Sequence, residues 1–123
     1  MTPLLRRWAL PLLAAAIGFN ATAADYPTKP ITLVIGFTAG GPTDAVGRYL
    51  ARHLEAELGQ PVVVENRAGA NGVVAVQAVK RAPADGYTLM LGSSGTLSIE
   101  PVYKQKVDYQ VLKDFQPVAL VAS

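Results

Sequence analysis

The sequence predicts an α/β fold, a partial parallel sheet with flanking helices. Apolar runs suited to buried strands alternate with segments of helical periodicity. The segments between successive strands are short, as right-handed crossover helices between parallel strands require. A loop rich in Gly or Ser follows each of the first three apolar runs. Because the carboxyl ends of parallel strands share one edge, these loops should gather where open α/β folds bind ligands.

The beginning of the chain has the pattern of an export signal. Residues 1–7 carry two arginines and no acid, residues 8–19 are almost wholly apolar, and small residues follow. The pattern predicts a signal peptide over residues 1–24, cleaved after Ala23 or Ala24. The alternative is a retained membrane anchor, but the apolar stretch of about 12 residues is shorter than the roughly 20 that span a bilayer.

Composition excludes several classes of function. The chain has no Cys and one His, so disulfides, thiolate chemistry and Cys- or His-based metal clusters are excluded. Two of the eleven basic residues, Arg6 and Arg7, lie in the predicted signal, which leaves nine basic and nine acidic residues. The processed chain is therefore formally neutral, and no basic stripe indicates a nucleic-acid partner. Its length of about 100 residues suits one small domain.

The first strand, loop and helix form the most informative segment. After a polar lead-in, residues 31–37 are apolar on both faces, as in a buried parallel strand. Residues 36–42 form a Gly-Gly loop, called the first loop. A helix follows, with Thr43 or Asp44 as its cap and an end near Gly59. Its inward face is expected to comprise Ala45, Val46, Tyr49, Leu50, His53 or Leu54, and Leu58.

The later elements repeat this alternation of strand, loop and helix. In chain order the predictions are a strand at 62–65, a second loop at 66–72, a helix at 73–81, a turn at 82–86, a strand at 87–91, a third loop at 92–96, a short helix at 97–106 broken at Pro101, and a fourth strand at 118–121.

The first loop suits an anion. Its backbone N–H groups, from Ala39 to Thr43, can converge on a carboxylate or phosphate oxygen, aided by the helix dipole. Asp44 would cap the helix, or accept a hydrogen bond from a ligand amine or from the neighbouring loop. The alternative interpretation is an ordinary tight turn from strand to helix.

The third loop, GSSGT, offers hydroxyl and N–H groups for a second carboxylate oxygen. The alternative is a plain Ser-rich turn. Ser94 does not lie in a G-x-S-x-G elbow, and His53, the single histidine, falls within a predicted helix. These two facts argue against a Ser/His/Asp triad, and we expect His53 to be an ordinary residue of a helix face.

Glu65 ends the second strand, where a Rossmann domain places the acid that binds a ribose. The glycine pattern is G-x-x-x-G-G rather than G-x-G-x-x-G, and export also argues against a nucleotide. The favoured interpretation is an ion pair or hydrogen bonds between Glu65 and Arg67 that brace the second loop.

Five stretches together resemble one family. They read YPTKPITLVIGFTAGGPTD, VVVENRAGANG, PADGYTL, LGSSGT and KDFQPVALVA, and they span the chain from Tyr26 to Ser123. In this order and spacing they closely resemble the periplasmic substrate-binding receptors of tripartite tricarboxylate transporters, the Bug receptors of proteobacteria. The resemblance implies the first part of domain one of a two-domain periplasmic binding protein fold.

The resemblance also implies a function. Such receptors are expected to act as monomers without cofactor, metal or catalysis, and to close two domains on a small organic dicarboxylate or tricarboxylate, or an acidic amino acid. The loaded receptor then passes its ligand to a membrane permease. Carried over by position, the implied ligand-binding residues are Thr38, Ala39, Gly40, Gly41 and Asp44 in the first loop and Ser93, Ser94, Gly95 and Thr96 in the third.

Two positions depart from the family's pattern. An Asn-Pro pair usually continues the helix after the third loop, and here Glu100-Pro101 stands there. The added negative charge could weaken or redirect anion binding. The second departure is at residues 109–112, where YQVL lacks the proline of a Tyr-Asp-Pro type turn.

Members of this family are much longer than this chain. We therefore expect residues 25–123 to be an incomplete amino-terminal α/β substrate-binding domain, without the second wall of a cleft and with apolar surface uncovered. The chain would then be a truncated product, an excerpt of a longer protein or half of a split receptor. Two alternatives stay open: a remnant without function that degrades or aggregates, and an exported α/β enzyme or nucleotide-binding domain.

Overall fold

The computed structural model describes residues 25–103 and 107–122. The signal peptide predicted at 1–24 and the end of the helix predicted at 97–106 lie outside the described residues. In order, the elements are β1 (Ile31–Ile35), α1 (Pro42–Leu58), β2 (Val62–Asn66), a 3₁₀ turn (Ala70–Gly72), α2 (Val73–Arg81), β3 (Thr88–Leu91), a π-helical turn (Gly95–Ile99) that continues into α3 (Glu100–Tyr103), and α4 (Val111–Asp114). Of the helices in these ranges, none has the length and apolar character needed to cross a bilayer.

The three strands form one parallel sheet in the order β2-β1-β3. Ile31 lies opposite Val62 on one side of β1, and Thr32 lies opposite Thr88 on the other. The predicted α/β fold is therefore confirmed. Since all three strands run the same way, the loops that follow them meet at one edge, as expected. The α1 crossover runs from β1 to β2, and the α2 crossover runs in the opposite direction across the sheet, from β2 to β3. Because such crossovers are right-handed, the two helices lie on opposite faces of the sheet.

The core is centred on β1. Ile31, Leu33 and Ile35 are almost wholly buried, as is Val34 on the alternate face. Such two-sided burial is typical of a central parallel strand and matches the apolar run in the sequence. On the α1 side the core also contains Ala51 and Val62, with half-buried side chains packed around them: Leu50, Leu54, Leu58, Val64, Tyr87, Leu89 and Leu91.

The face of α1 predicted to point inward is partly wrong. Ala45, Val46, Tyr49 and His53 are exposed, while Leu50, Leu54 and Leu58 are half-buried as predicted. The buried residues are instead Asp44, Gly47 and Ala51. A Cβ on Gly47 would lie 2.3 Å from the Ile35 Cδ1 atom, so the helix packs on the sheet through its smallest residues. This close approach rotates the stripe away from the one that hydrophobicity favours.

The predicted C-terminal cap of α1 is confirmed, and the predicted N-terminal cap is wrong. The N-cap residue is Gly41, without any side-chain cap, so the prediction of Thr43 or Asp44 is wrong. Pro42 begins the helix, where its fixed φ and missing N–H are no disadvantage. At the other end Gly59 adopts a left-handed φ of 67° and donates its N–H to the Glu55 carbonyl, as predicted.

The third loop is shorter than predicted. Gly95 and Thr96 belong to the first turn of the following helix. The Ser93 carbonyl accepts from the Leu97 N–H at 2.9 Å, and its hydroxyl accepts from the Thr96 N–H at 3.2 Å, as a helix-capping serine does. The helix also continues through Pro101 instead of breaking there. A π-helical turn precedes Pro101, and such turns are common where the regular bonding pattern is interrupted.

The fourth strand predicted at 118–121 is wrong. Residues 115–122 have no regular structure, and Val118 and Leu120 are more than 80% exposed (82% and 84%). A strand requires a partner, and within the described ranges this segment pairs with none of the three strands. The unpredicted helix α4 precedes it, where the Asp114 carboxylate accepts from the Gln110 N–H at 2.8 Å and pairs with Lys80 at 3.1 Å.

The lead-in before β1 is tied to the turn before β3. Tyr26 donates its hydroxyl to the Gly86 carbonyl at 2.6 Å, and the Thr28 N–H donates to the Tyr87 hydroxyl at 2.9 Å. The Lys29 ammonium lies 4.3 Å from the centre of the Tyr87 ring. The described chain therefore enters the fold at the edge of the sheet opposite the three loops.

Candidate functional site

The first loop presents its backbone to solvent. Thr38, Ala39 and Gly40 are exposed, and Gly40 adopts a left-handed φ of 83° that favours glycine. A Cβ placed on Gly40 would meet no atom within 4 Å, so the space in front of the loop is open. The loop leads directly into the N-terminus of the 17-residue helix α1, whose dipole favours an anion there.

Asp44 lies behind this loop, with a side chain only 4% exposed. Its Oδ2 atom accepts from the Gly40 N–H and from the Arg48 Nε, both at 2.8 Å, and its Oδ1 accepts from the Asn66 Nδ2 at 2.9 Å. Of the roles predicted for Asp44, acceptance from the neighbouring loop is the one observed. The Arg48 bond first, and then those from Gly40 and Asn66, lower the pKa of Asp44 from 3.8 to about 2.

Asn66, the last residue of β2, completes this group. Its Nδ2 donates to the Phe37 carbonyl at 3.0 Å as well as to Asp44, and its Oδ1 accepts from an Arg48 Nη2 at 3.3 Å. The first loop is therefore bonded at Phe37 and at Gly40, on either side of the exposed pair Thr38 and Ala39.

The three hydroxyl-bearing residues of the third loop differ in exposure: Ser93 is half-buried, Ser94 is exposed and Thr96 is buried. Thr96 is fully buried and donates its hydroxyl to the Asn71 carbonyl at 2.8 Å. Its single hydrogen is thus used, so in the 3.0 Å contact between Ser93 and Thr96 the Ser93 hydroxyl is the donor. Ser94 is exposed. Of the three hydroxyls in this loop, that of Ser94 is the one placed to donate to a ligand.

The second loop packs between the other two. Gly36, at the start of the first loop, lies so near that its Cβ would be 2.8 Å from the Gly72 Cα. A Cβ on Gly72 would in turn lie 2.6 Å from the Thr96 Oγ1. In the described residues, hydrogen bonds tie the second loop to the first through Asn66 and to the third through Asn71. The second loop thus links the first loop to the third.

Glu100, which stands where the family usually has asparagine, forms a hydrogen bond with Asn71. Glu100 is buried, and its Oε1 accepts from the Asn71 Nδ2 at 2.8 Å. Nearby, the buried Tyr109 hydroxyl donates to the Thr96 carbonyl at 2.6 Å. Burial, and secondarily the charge of Glu100, raises the pKa of Tyr109. Both side chains support the helix that carries the third loop.

The ion pair predicted for Glu65 and Arg67 is confirmed. The Arg67 Nε lies 2.7 Å from the Glu65 Oε1, and both side chains are almost half exposed. His53 is exposed on α1, with its Nδ1 2.8 Å from the Tyr49 carbonyl oxygen. In the ranges that the structure describes, no three His, Asp or Glu side chains come close enough to hold a metal ion.

Sequence reasoning missed Arg48, Asn66 and Asn71. Arg48 follows Asp44 by four residues in a helix, a spacing that permits an ion pair. The two asparagines stand in the second loop, where an amide can supply both a donor and an acceptor, and Asn71 adopts a left-handed φ of 54° that asparagine tolerates. The spacing of Asp44 and Arg48 and the two asparagines of the second loop were therefore the sequence features that could have indicated these residues.

Comparison with known proteins decides the family. The family described as "Tripartite tricarboxylate transporter family receptor" matches residues 46–123, more than half of the chain. The chain belongs to this receptor family. The resemblance stated from the sequence motifs is therefore confirmed, although the matched range begins after the first loop.

Among curated relatives of this chain, Protein BugT of Bordetella pertussis is 43% identical over 122 residues, which cover 98% of this chain and 37% of the relative. A UPF0065 protein from the tcbD-tcbE intergenic region of Pseudomonas sp. is 38% identical, over 96% of this chain and 36% of its own length. The chain thus spans about a third of the length of the curated relatives it matches.

Several solved structures share the fold of this chain. MatC from Rhodopseudomonas palustris, solved with bound malate, is 41% identical with a TM-score of 0.75, over 78% of this chain and 33% of its own. A second Rhodopseudomonas palustris protein, solved with adipate, is 45% identical with a TM-score of 0.56, over 58% and 24%. The periplasmic binding protein BugD is 48% identical with a TM-score of 0.51, over 53% and 22%.

Proposed function

We propose that this chain supplies one wall of a periplasmic binding site for a small organic dicarboxylate or tricarboxylate, or an acidic amino acid. The observation that carries the proposal is the meeting of the first and third loops at the carboxyl edge of one parallel sheet. Relatives solved with malate and with adipate support the choice of ligand class.

The proposed contacts come from hydrogen-bond donors rather than from cations. None of the candidate ligand-binding residues is Lys or Arg. Backbone N–H groups of the first loop, at Thr38, Ala39 and Gly41, would donate to one carboxylate, together with the dipole of α1. The Ser94 hydroxyl and the first turn of its helix would donate to another. Ser93, Gly95 and Thr96 shape this second contact, and Asp44 positions the first loop.

The proposed mechanism involves capture and release without bond chemistry, cofactor or metal. Export would remove residues 1–24, and residues 25–123 would form part of the first of two domains. A second domain would close over the ligand and exclude water. The closed receptor, acting as a monomer, would pass the ligand to a membrane permease of the tripartite tricarboxylate type.

Isothermal titration calorimetry tests the proposal on the full-length protein. We expect at least one of malate, adipate, citrate and glutamate to bind, and the neutral adipamide not to bind. Failure of every acid would contradict the proposal.

A pair of serine variants tests the role of the third loop. Since a hydrogen bond to a charged group contributes about 1.5–3 kcal/mol, Ser94→Ala should weaken binding by about tenfold or more. Ser98→Ala, an exposed serine one turn further along the same helix, is the matched control and should bind as the wild type does. Equal affinities in the two variants would remove Ser94 from the site. Ester hydrolysis abolished by Ser94→Ala would instead indicate an enzyme.

A further inference from the structure

The side chain of Asn66 projects from the last residue of β2, which is paired with the central strand. Its backbone lies opposite Ile35 in the parallel register of β1 and β2, and the next residue, Arg67, donates its N–H to the Ile35 carbonyl at 2.8 Å. An anchor placed on a strand holds its partners more accurately than one placed on a loop.

Both the nitrogen and the oxygen of the Asn66 side-chain amide form hydrogen bonds. The two N–H donors face the Phe37 carbonyl and the Asp44 carboxylate, and the Oδ1 accepts from Arg48. A flipped amide would turn its oxygen towards a carbonyl and a carboxylate, so the network determines its orientation. An aspartate at position 66 would place two carboxylates side by side. The position therefore requires an amide rather than polarity alone.

The consequence is a first loop bonded on both sides of its exposed centre. Asn66 bonds the Phe37 carbonyl, and Asp44, itself bonded by Asn66 and Arg48, accepts from the Gly40 N–H. We infer that Asn66, Asp44 and Arg48 are positioning residues that hold the first loop in its ligand-binding conformation before any ligand arrives. This inference rests on the proposed function, because it concerns the same site.

A competing role for Asp44 is direct contact with a ligand amine. The carboxylate is 4% exposed and already accepts three hydrogen bonds, so its charge does not face the open side of the loop. The positioning role therefore predicts that Asp44→Asn weakens the binding of malate and of aspartate by the same factor. The two ligands differ in that malate carries a hydroxyl group where aspartate carries an ammonium group. A loss confined to aspartate would establish the direct contact and overturn the inference for Asp44.

The central test compares two arginines. Arg48 and Arg67 have similar exposure, 49% and 46%, and each bonds a carboxylate through its Nε, at 2.8 and 2.7 Å. Only Arg48 belongs to the group that holds the first loop. In Arg48→Ala the ligand must itself order the first loop, so malate binding should weaken by about tenfold for each backbone residue that becomes ordered on binding. Arg67→Ala should leave the affinity unchanged.

A second readout needs no ligand. Hydrogen exchange of the Gly40 amide in the ligand-free full-length protein should be about tenfold faster in Arg48→Ala, Asn66→Ala and Asn66→Asp, and unchanged in Arg67→Ala. A purely structural loss would accelerate exchange throughout the sheet, including the Leu33 amide in the core. If Asn66→Ala does not fold, Arg48→Ala still tests the inference, because it removes a half-exposed side chain.

The outcomes separate the two proposals. If the wild-type protein binds none of the acids, the proposed function fails, and Gly40 exchange alone decides whether these residues hold the loop. If the wild-type protein binds malate and the Arg48 and Asn66 variants match it in affinity and in Gly40 exchange, the inference is overturned while the proposed function stands.

Discussion

Two glycines at opposite ends of α1 offer a matched perturbation of the site. Gly40 and Gly59 both adopt left-handed φ angles, 83° and 67°. A Cβ at either position would meet no atom within 4 Å. Alanine therefore adds backbone strain without a clash, and the left-handed conformation costs an L-residue about 1–2 kcal/mol. We expect Gly40→Ala and Gly59→Ala to destabilise the full-length protein equally, lowering its Tm by about 2–4 °C per kcal/mol, the value for a protein of about 150 residues or more.

Their effects on ligand binding should differ completely. Gly40 lies in the first loop, whereas Gly59 follows the last residue of the 17-residue helix, about 25 Å away at a rise of 1.5 Å per residue. The methyl group at position 40 would project into the open space where we place the ligand carboxylate. Gly40→Ala should therefore weaken binding by about tenfold or more, and Gly59→Ala should not change it.

Thermal denaturation followed by calorimetric titration of malate measures both quantities on the same samples. The reasoning is refuted if the two variants lose affinity equally, because the loss would then follow stability. It is also refuted if Gly40→Ala shows the expected fall in Tm and binds as tightly as the wild type. In that case the first loop would not face the ligand.

Three further predictions concern the supports of the site. The pKa of Asp44 is lowered to about 2, so its contribution to stability should be complete above about pH 4 and be lost as the pH falls towards 2; Asp44→Asn should flatten the fall of the urea midpoint in this range, and an unchanged profile would contradict the assignment. Gly72→Ala would place a Cβ 2.6 Å from the Thr96 Oγ1 at a backbone φ of 87°, so it should lower the free energy of unfolding by about 2 kcal/mol or more. A urea midpoint equal to that of the wild type would contradict this prediction. Glu65→Gln removes one member of the exposed pair with Arg67 and should change stability by no more than about 0.5 kcal/mol, whereas a larger loss would show that this pair supports the second loop.

Local pattern predicted most of the fold. The apolar run of β1 and the helix at 73–81 appear where expected, because burial on both faces and helical periodicity are properties of short segments. The inward face of α1 could not be predicted, since it depends on how closely Gly47 approaches Ile35 across the core. The strand expected at 118–121 failed for a related reason: a strand also needs a partner distant in sequence.

The sequence predicted that the three loops meet at one edge of the sheet, but not the contacts that shape them. Parallel strands were sufficient to bring the first and third loops to one edge. The bonds that shape them join residues far apart in sequence, 22 positions from Asn66 to Asp44 and 25 from Thr96 to Asn71. Spacing within one motif therefore could not show that Thr96 is buried, or that Asp44 accepts a hydrogen bond from Asn66.

The central claim, that the first and third loops bind a carboxylate, can be tested residue by residue. Titration of malate into ¹⁵N-labelled full-length protein reports on each backbone amide. We predict that the amide signals of Thr38, Gly40, Gly41 and Ser94 shift together with one dissociation constant, while Gly59 and Arg67 stay still. Saturable binding that shifts other amides and leaves these four unchanged would contradict the account.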